Sequence, residues 1–237
     1  MGGPRNVTGV ILQARLDSSR LPAKALLDLQ GKTVVEHAMA ALRKLSSAEV
    51  FILATDPESA DFFRRKAEAE GFELFIGPKE DVLRRFADAA RHYGLDLIVR
   101  ATGDNPLVSW EIAGESLDLQ REAAADYAAC TDAPLGTGVE VIAARALLEA
   151  DRLARDPYER EHVCPYLYRR PEEYKISVSP VRESRRLPEA RVTVDTLEDY
   201  RHISALFRSL YRGTPIALED VLDYLKTEAS GKADTSG

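Results

Sequence analysis

Cysteine, long apolar runs and surplus positive charge are all missing from this chain or scarce in it. Its two cysteines, Cys130 and Cys164, match no metal-binding or disulfide spacing, which favours reduced thiols in a cytoplasmic protein. No stretch approaches the roughly 18 apolar residues of a membrane-spanning helix, and Met1 to Gly9 lacks the apolar segment of a secretory signal. We therefore expect a cytoplasmic protein without a membrane partner.

The formal net charge is −7, so there is no excess of lysine and arginine. Such a chain cannot release the counterions that drive general binding to nucleic acid, and we expect no nucleic-acid partner. A single nucleotide needs only a few local cations and is compatible with this charge. The G-x-G-x-x-G of dinucleotide folds and the G-x-x-x-x-G-K-[ST] of P-loops are also missing after the first predicted strand.

The first half of the chain alternates short β-type runs with helical patterns. The predicted strands are residues 8–13, 49–54, 73–76 and 97–101, and the predicted helices are 34–45, 56–70 and 80–93. This alternation predicts a parallel sheet covered by helices on both faces. In such sheets ligands bind beyond the carboxyl ends of the strands.

The second half is less regular. The predicted strands are residues 126–129, 139–143, 174–179 and 191–194, and the predicted helices are 157–168, 196–211 and 218–225. We expect one domain over residues 1–228, with an inserted sub-lobe at about 132–186 and a disordered tail over 229–237.

The loop after the first predicted strand carries three cations: Arg15, Arg20 and Lys24. Such closely spaced cations repel one another unless an anion neutralises them. Ser18 and Ser19 lie between them, and small polar residues allow backbone amides to turn toward phosphate oxygens. A phosphate-binding loop and a solvated basic turn are both compatible with this pattern.

Two aspartates lie at the ends of later predicted strands, Asp104 after residues 97–101 and Asp195 after residues 191–194. Carboxylates at a sheet edge can hold Mg²⁺ together with phosphates and water. Alternatively, Asp104 forms a turn and Asp195 caps a helix with Thr196. If the sheet is parallel, both carboxylates converge with the cationic loop, and that arrangement suits a triphosphate–metal complex.

Several segments resemble one known family. ARLDSSRLPAK is similar to the A-R-x-x-S-x-R-[LI]-P-x-K motif of cytidylyltransferases that make CMP-activated sugars, including CMP-sialate and CMP-3-deoxy-manno-octulosonate synthetases. The resemblance is strongest to the spore coat polysaccharide biosynthesis protein F family. It extends over the segments 80–86, 100–107, 161–168 and 194–200 in the same order. One departure is Ala23, where the better-known synthetases usually carry glycine.

The resemblance implies a nucleotide-diphospho-sugar transferase fold, a Rossmann-like three-layer α/β/α sheet, in a Mg²⁺-dependent enzyme of polysaccharide biosynthesis that forms a homodimer. It places Arg15, Ser19 and Lys24 on the triphosphate, with Arg20 supporting the loop. It places Gln13, Ala14 and Asp81 near the base and ribose. It assigns Asp104 and Asp195 as ligands of Mg²⁺. It places the sub-lobe, with Glu140 and His162, over the acceptor pocket and at the dimer interface.

The implied reaction is transfer of CMP from CTP to a sugar, with an acidic sugar such as a nonulosonic or 3-deoxy-octulosonic acid as the expected acceptor. Two alternatives stay open. A glycosyltransferase of the same fold would use a nucleotide sugar, although such enzymes generally carry D-x-D and this chain has Gly103-Asp104-Asn105. A non-catalytic nucleotide-binding protein is the other. These interpretations require the hairpin from Arg15 to Lys24 and the side chains of Asp104 and Asp195 to meet around one pocket at one rim of the sheet.

Overall fold

A computed structural model describes residues 6–234 of the chain. Its strands are β1 (Thr8–Gln13), β2 (Asp28–Leu29), β3 (Lys32–Thr33), β4 (Val50–Thr55), β5 (Glu73–Ile76), β6 (Leu97–Thr102), β7 (Tyr127–Thr131), β8 (Glu140–Ala143) and β9 (Ile176–Pro180). Its α-helices are α1 (Val34–Leu42), α2 (Ala60–Ala69), α3 (Val82–Tyr93), α4 (Trp110–Ala123), α5 (Ala144–Leu153), α6 (Pro157–His162), α7 (Pro165–Tyr168), α8 (Leu197–Leu210) and α9 (Leu218–Asp234).

Seven of the strands within residues 6–234 form one sheet in the order β5-β4-β1-β6-β8-β7-β9. The strands β5, β4, β1 and β6 are mutually parallel, as the alternating pattern predicts, whereas β8 runs antiparallel to both β6 and β7. The chain leaves β1 for β4 and β5 on one side and returns to β6 on the other. The strand order therefore reverses between β1 and β6, and such a switch point opens a crevice at the carboxyl ends of the strands.

The centre of the sheet is buried on both faces. Val10, Ile11 and Leu12 of β1 are fully buried, and a continuous apolar run of this kind is typical of a strand covered by helices on both sides. A second apolar cluster, which includes Leu29, Val34, Val194 and Phe207, packs α8 against α1 and the β2–β3 hairpin. This second cluster fixes the chain that precedes α8.

The structure differs from the expected elements in several places. Pro165 begins a new helix, so the helix expected over 157–168 is two helices separated by Val163, whose φ is 71°. The strand expected over 191–194 is reduced to a single bridge between Leu135 and Arg191. The helices α4 and α5 were not predicted; the Ser109 hydroxyl caps α4 by accepting the Ile112 amide at 3.1 Å.

The region expected as a sub-lobe, 132–186, contributes β8 and β9 to the main sheet, so it is continuous with the rest of the fold. The last helix is longer than expected, because α9 continues through Asp234 into the tail that was expected to be disordered. Alanine and lysine, found in this stretch at Ala229 and Lys232, favour a helix once its first turns are anchored. The final residues of the expected tail, 235–237, lie outside the described residues. No helix within residues 6–234 is long and apolar enough to span a membrane.

Candidate active site

A cavity of about 520 Å³ opens at the carboxyl ends of β1 and β6. The last residues of these strands, Gln13 and Thr102, are paired in the sheet, so the loops that follow them begin side by side. Both loops line the cavity, and Asp195 reaches it from the segment before α8. The cavity therefore occupies the switch point of the sheet, where open α/β folds bind their ligands.

The loop after β1 folds back on itself to carry Lys24 to the cavity wall. The Leu16 amide donates to the Ser59 hydroxyl at 3.0 Å, which ties the loop to the segment before α2. The Ala23 amide then donates to the Leu16 carbonyl at 3.0 Å and closes the turn. Ala23 has a left-handed backbone, with φ of 52°, a conformation that costs energy for any residue with a Cβ. The alanine that departs from the family motif is thus a strained residue.

Lys24 joins the two predicted carboxylates. Its ammonium nitrogen lies 2.6 Å from Oδ2 of Asp104 and 2.7 Å from Oδ1 of Asp195. The backbone supports this meeting, since the Val194 amide donates to the Asp104 carbonyl at 3.0 Å. The loop after β1 and the two aspartates therefore meet around one pocket, as the interpretation of the sequence requires.

Gly103 permits the close approach of the two loops. Its amide donates to the Gln13 carbonyl at 2.8 Å. A Cβ at this position would lie 2.9 Å from the Cβ of Ala14 and 3.1 Å from the Gln13 carbonyl oxygen. Any side chain would push the loop after β6 away from the loop after β1 and separate Asp104 from Lys24.

Three cations surround the Asp195 carboxylate: Arg20 at 2.9 Å, Lys24 at 2.7 Å and Arg191 at 2.5 Å. Burial alone would raise the pKa of Asp195, but the hydrogen bond and charge of Lys24, with the two arginines, outweigh it and lower the pKa below its ordinary value. The next residue, Thr196, is the N-cap of α8: its hydroxyl accepts the Asp199 amide at 3.1 Å. The Asp195 side chain therefore faces the cavity and is not the N-cap of α8.

Most of the residues predicted for the site line this cavity: Gln13, Ala14, Arg15, Ser19, Arg20, Lys24, Asp104 and Asp195. Asp81 lies elsewhere. Its carboxylate accepts the Arg84 amide at 3.0 Å as the N-cap of α3, and it pairs with Arg160. The next residue, Val82, does line the cavity, so Asp81 is adjacent to the pocket without being part of its wall.

A sequence model of the cytidylyltransferase family matches residues 9 to 226. The chain belongs to the cytidylyltransferase family. It is 30% identical to the spore coat polysaccharide biosynthesis protein SpsF of Bacillus subtilis over 221 residues, which are 91% of this chain and 92% of that protein. The resemblance carried by the loop motifs is thereby confirmed.

Solved structures agree with this family. A cytidylyltransferase from Leptospira borgpetersenii, 28% identical, superposes with a TM-score of 0.87 over 95% of this chain and 96% of its own. A CMP:2-keto-3-deoxy-manno-octonic acid synthetase complexed with CTP has a TM-score of 0.65 at 17% identity, over 86% of this chain and 99% of its own, and supports the fold alone. The three-layer α/β/α nucleotidyltransferase fold is confirmed.

Other side chains of this cytidylyltransferase reach the cavity but were not assigned to the nucleotide site from the sequence. Glu161 and His162 arrive from α6, and Glu161 pairs with Arg15 at 3.3 Å. Arg191 does not line the cavity, but it forms an ion pair with Asp195, which does. Long-range ion pairs leave no periodic pattern in a sequence, so the available signal was the E-x-E-H segment at residues 159–162 alone.

Arg100 stands at the end of β6 and contributes to the cavity wall. It forms a short ion pair with Glu140, whose other oxygen accepts the Tyr127 hydroxyl at 2.9 Å. Burial alone would lower the pKa of Arg100, but Glu140 outweighs that effect and raises it, so the guanidinium stays charged. An arginine within an otherwise apolar strand was the sequence signal for this position.

A second cavity of about 520 Å³ lies next to the first. The segment from Arg100 to Asn105 separates them, because Arg100 and Thr102 line both, Asp104 lines the first and Asn105 lines the second. Two ligands, one in each cavity, would therefore meet over the end of β6.

The site has the donors that a divalent cation requires. Magnesium is usually bound by one or two protein carboxylates together with phosphates and water. Asp104 and Asp195 each direct an oxygen at the same ammonium, so they already share one cation. Within residues 6–234 no group of three or more histidine, cysteine, aspartate or glutamate side chains could hold a metal. The pair thus fits a cation that takes its remaining ligands from a substrate.

Proposed function

We propose that this cytidylyltransferase transfers CMP from CTP to a hydroxyl group of a sugar and releases pyrophosphate. The observation that carries the proposal is the contact of Lys24 with both Asp104 and Asp195 in a cavity that also contains Arg15 and Arg20. The family and one relative support the substrates: the matching family model is that of cytidylyltransferases, and SpsF is named for polysaccharide biosynthesis.

In this proposal the triphosphate lies along the loop after β1. Arg15 and Lys24 bind its phosphates, Ser19 offers a hydroxyl, and Arg20 supports the loop through Asp195. Arginine offers a planar fork to phosphate oxygens and lysine a mobile point charge. The base and ribose lie toward Gln13 and Ala14, at the end of β1.

The acceptor lies in the second cavity, with its hydroxyl directed over the end of β6. The hydroxyl oxygen forms a bond to the α-phosphorus, and the bond from that phosphorus to the oxygen bridging it to the β-phosphorus breaks. The electron pair leaves with pyrophosphate, whose charge Arg15 and Lys24 stabilise. The hydroxyl proton passes to water.

Asp104 and Asp195 would hold Mg²⁺, which supplies charge neutralisation at the phosphates when it is bound. The cavity itself does not provide that neutralisation. Its charged lining residues are balanced: Arg15, Arg20, Lys24 and Arg100 against Asp17, Asp104, Asp195 and Glu161. Lys24 would leave the carboxylates for a phosphate, a movement that its flexible side chain allows.

Mixing the protein with CTP, Mg²⁺ and a panel of sugars tests the proposal. We expect pyrophosphate release that depends on both CTP and a sugar. A glycosyltransferase would instead consume a CMP-sugar without releasing pyrophosphate. Binding of CTP, seen as a raised melting temperature, with no pyrophosphate from any sugar would favour a non-catalytic nucleotide-binding protein.

Binding of Mn²⁺ to the CTP-loaded protein, measured by electron paramagnetic resonance, tests the metal ligands apart from turnover. Asp104→Ala and Asp195→Ala should each weaken Mn²⁺ binding about tenfold or more. Asp17→Ala is the matched control, since Asp17 lines the same cavity but pairs with Lys79 at 3.5 Å. Equal Mn²⁺ affinity in all three variants would remove the metal role.

A further inference from the structure

The two cavities differ in the cations that they offer. In the first, the cations of the loop after β1 face the space where phosphates are proposed to bind. In the second, the charged lining residues are Arg100, Asp132 and Glu140, so carboxylates outnumber cations. A bound anion would therefore meet more carboxylates than cations among the residues that line this cavity.

The single lining cation of the second cavity, within the described part of the chain, is already neutralised. Glu140 forms its short ion pair with Arg100, and both side chains are largely withdrawn from solvent. The nearby Arg186 is held by Asp132 at 2.8 Å and by Glu183 at 3.0 Å. A substrate carboxylate could pair with one of these arginines only by displacing a protein carboxylate. A carboxylate that is buried without a cationic partner is destabilised by the loss of its hydration.

The rest of the wall suits hydroxyl groups. The side chains of Asn105, Thr131 and Asp132 bring amide, hydroxyl and carboxylate groups, which between them donate to and accept from sugar hydroxyls. Carboxylate and amide groups can each contact two neighbouring hydroxyls of a sugar ring. The remaining lining residues are small or apolar, among them Ala129, Ala133 and Gly138.

From this contrast we infer that the acceptor of this enzyme is a sugar without a carboxylate, neutral or bearing an amine. The inference rests on the proposed function, because it assigns the second cavity to the acceptor. It revises the acidic sugar expected from the family resemblance. The charges of the wall would exclude nonulosonic and 3-deoxy-octulosonic acids and admit a polyhydroxyl ring.

The direct test compares sugars of similar size with the full chain, CTP and Mg²⁺. Glucose and glucosamine represent the inferred class, and glucuronate and 3-deoxy-manno-octulosonate represent the acids. Saturation-transfer NMR on the CTP-loaded protein should show binding of a neutral or amine-bearing sugar at least tenfold tighter than that of either acid. Tighter binding of an acid, or binding of no sugar, would overturn the inference. A failure of CTP itself to bind would instead overturn the proposed function.

A pair of variants tests whether the charge of the wall selects the acceptor. Asp132→Asn and Glu183→Gln each remove one partner of Arg186, but Asp132 alone of these two lines the cavity. We expect Asp132→Asn to raise the ratio of the affinity for the acids to the affinity for the neutral sugars by threefold or more. Glu183→Gln should leave that ratio unchanged. The same ratio in both variants would contradict selection by this wall.

A second pair tests whether this cavity holds the acceptor at all. A Cβ added at Gly138, in the cavity wall, or at Gly114, on α4, meets no atom within 4 Å, so a side chain can begin at either position without a backbone clash. Gly138→Leu should raise the KM for the sugar at least tenfold and leave the KM for CTP unchanged. Gly114→Leu should change neither. An unchanged sugar KM in Gly138→Leu would place the acceptor elsewhere.

Discussion

Two aspartates of this protein are each surrounded by three cations, with different consequences. Asp195 contacts Arg20, Lys24 and Arg191 on the wall of the first cavity. Asp151, on α5, lies 2.8 Å from Arg160, 2.9 Å from Arg91 and 3.8 Å from Arg84. Both carboxylates have a lowered pKa, because their cations outweigh the effect of burial.

The difference lies in what else the cations contact. Arg160 also pairs with Asp81, the N-cap of α3, and donates to the Asp151 carbonyl at 2.8 Å. Its donors are satisfied by groups of α3 and α5, and the Asp151 side chain is 3% exposed. Lys24 instead lies between carboxylates from two separate segments and faces open space. A charge cluster closed by helices stabilises the fold, whereas one at a cavity can exchange its partners for a ligand.

The largest expected effect is on turnover, when a residue of the charge cluster at the first cavity is changed. Asp104→Ala should lower kcat by about a thousandfold, because a ligand for the cation that neutralises phosphate charge is lost. The melting temperature should change little, since Asp104 is a partly exposed residue at the cavity wall. Steady-state pyrophosphate release and thermal unfolding measure the two properties. Full activity in this variant would remove the role given to Asp104.

The next effect is on nucleotide binding. Lys24→Ala should raise the Kd for CTP about tenfold to a hundredfold, the expected loss for a charge-assisted phosphate contact. Lys79→Ala is the matched control, because Lys79 pairs with Asp17 and Glu58 beside the same loop but does not line the cavity. Calorimetric titration gives both values. Equal affinities in the two variants would count against phosphate binding by Lys24.

A change in the charge cluster around Asp151 should lower the stability of the fold. Asp151→Asn should lower the free energy of unfolding by about 2 kcal/mol at pH 7, below the loss for a fully buried pair because the arginines are partly exposed. Because the pKa of Asp151 is lowered in the folded state, its contribution is present above the ordinary aspartate pKa and is lost as the pH falls through the lowered value. Denaturant unfolding from pH 6 to pH 3 should therefore show a shallower acid loss in the variant. An identical pH profile would refute this role.

The smallest expected effect concerns Ala23. Ala23→Gly should stabilise the fold by about 1 kcal/mol or less, since glycine relieves the left-handed strain but gains freedom in the unfolded chain. Ala124, at the end of α4, has a φ of 46° and provides a comparison away from the cavity. Ala124→Gly should stabilise by a similar amount, and only Ala23→Gly should alter the KM for CTP. Destabilisation by both changes would show that neither backbone is strained.

Much of the site could be predicted because the alternation of strands and helices determines where loops emerge. The parallel strands β1 and β6 bring Lys24 and Asp104 to one rim of the sheet, and that followed from the pattern. The position of Asp195 could not follow in the same way, since its expected strand is not part of the sheet. Its segment is held by the Val194–Asp104 hydrogen bond and by the second apolar cluster, both of which depend on tertiary contacts.

The contacts that the sequence could not predict share a physical cause. The family resemblance places Asp81 near the base pocket, and in the structure it lies beside the first cavity, where it caps α3 and pairs with Arg160. Partners separated by about 79 residues in the chain, as these are, leave no local pattern. The strand β8 was predicted, but its antiparallel direction depends on pairing with β6, which periodicity does not encode.

A crystal structure of the full chain with CTP and Mg²⁺ tests the central claim most directly. We predict that the triphosphate lies in the first cavity, with the Lys24 ammonium moved from the aspartates to a phosphate oxygen and the metal between Asp104 and Asp195. A structure in which CTP binds elsewhere, or in which Lys24 keeps both aspartates while CTP occupies the cavity, would contradict the account.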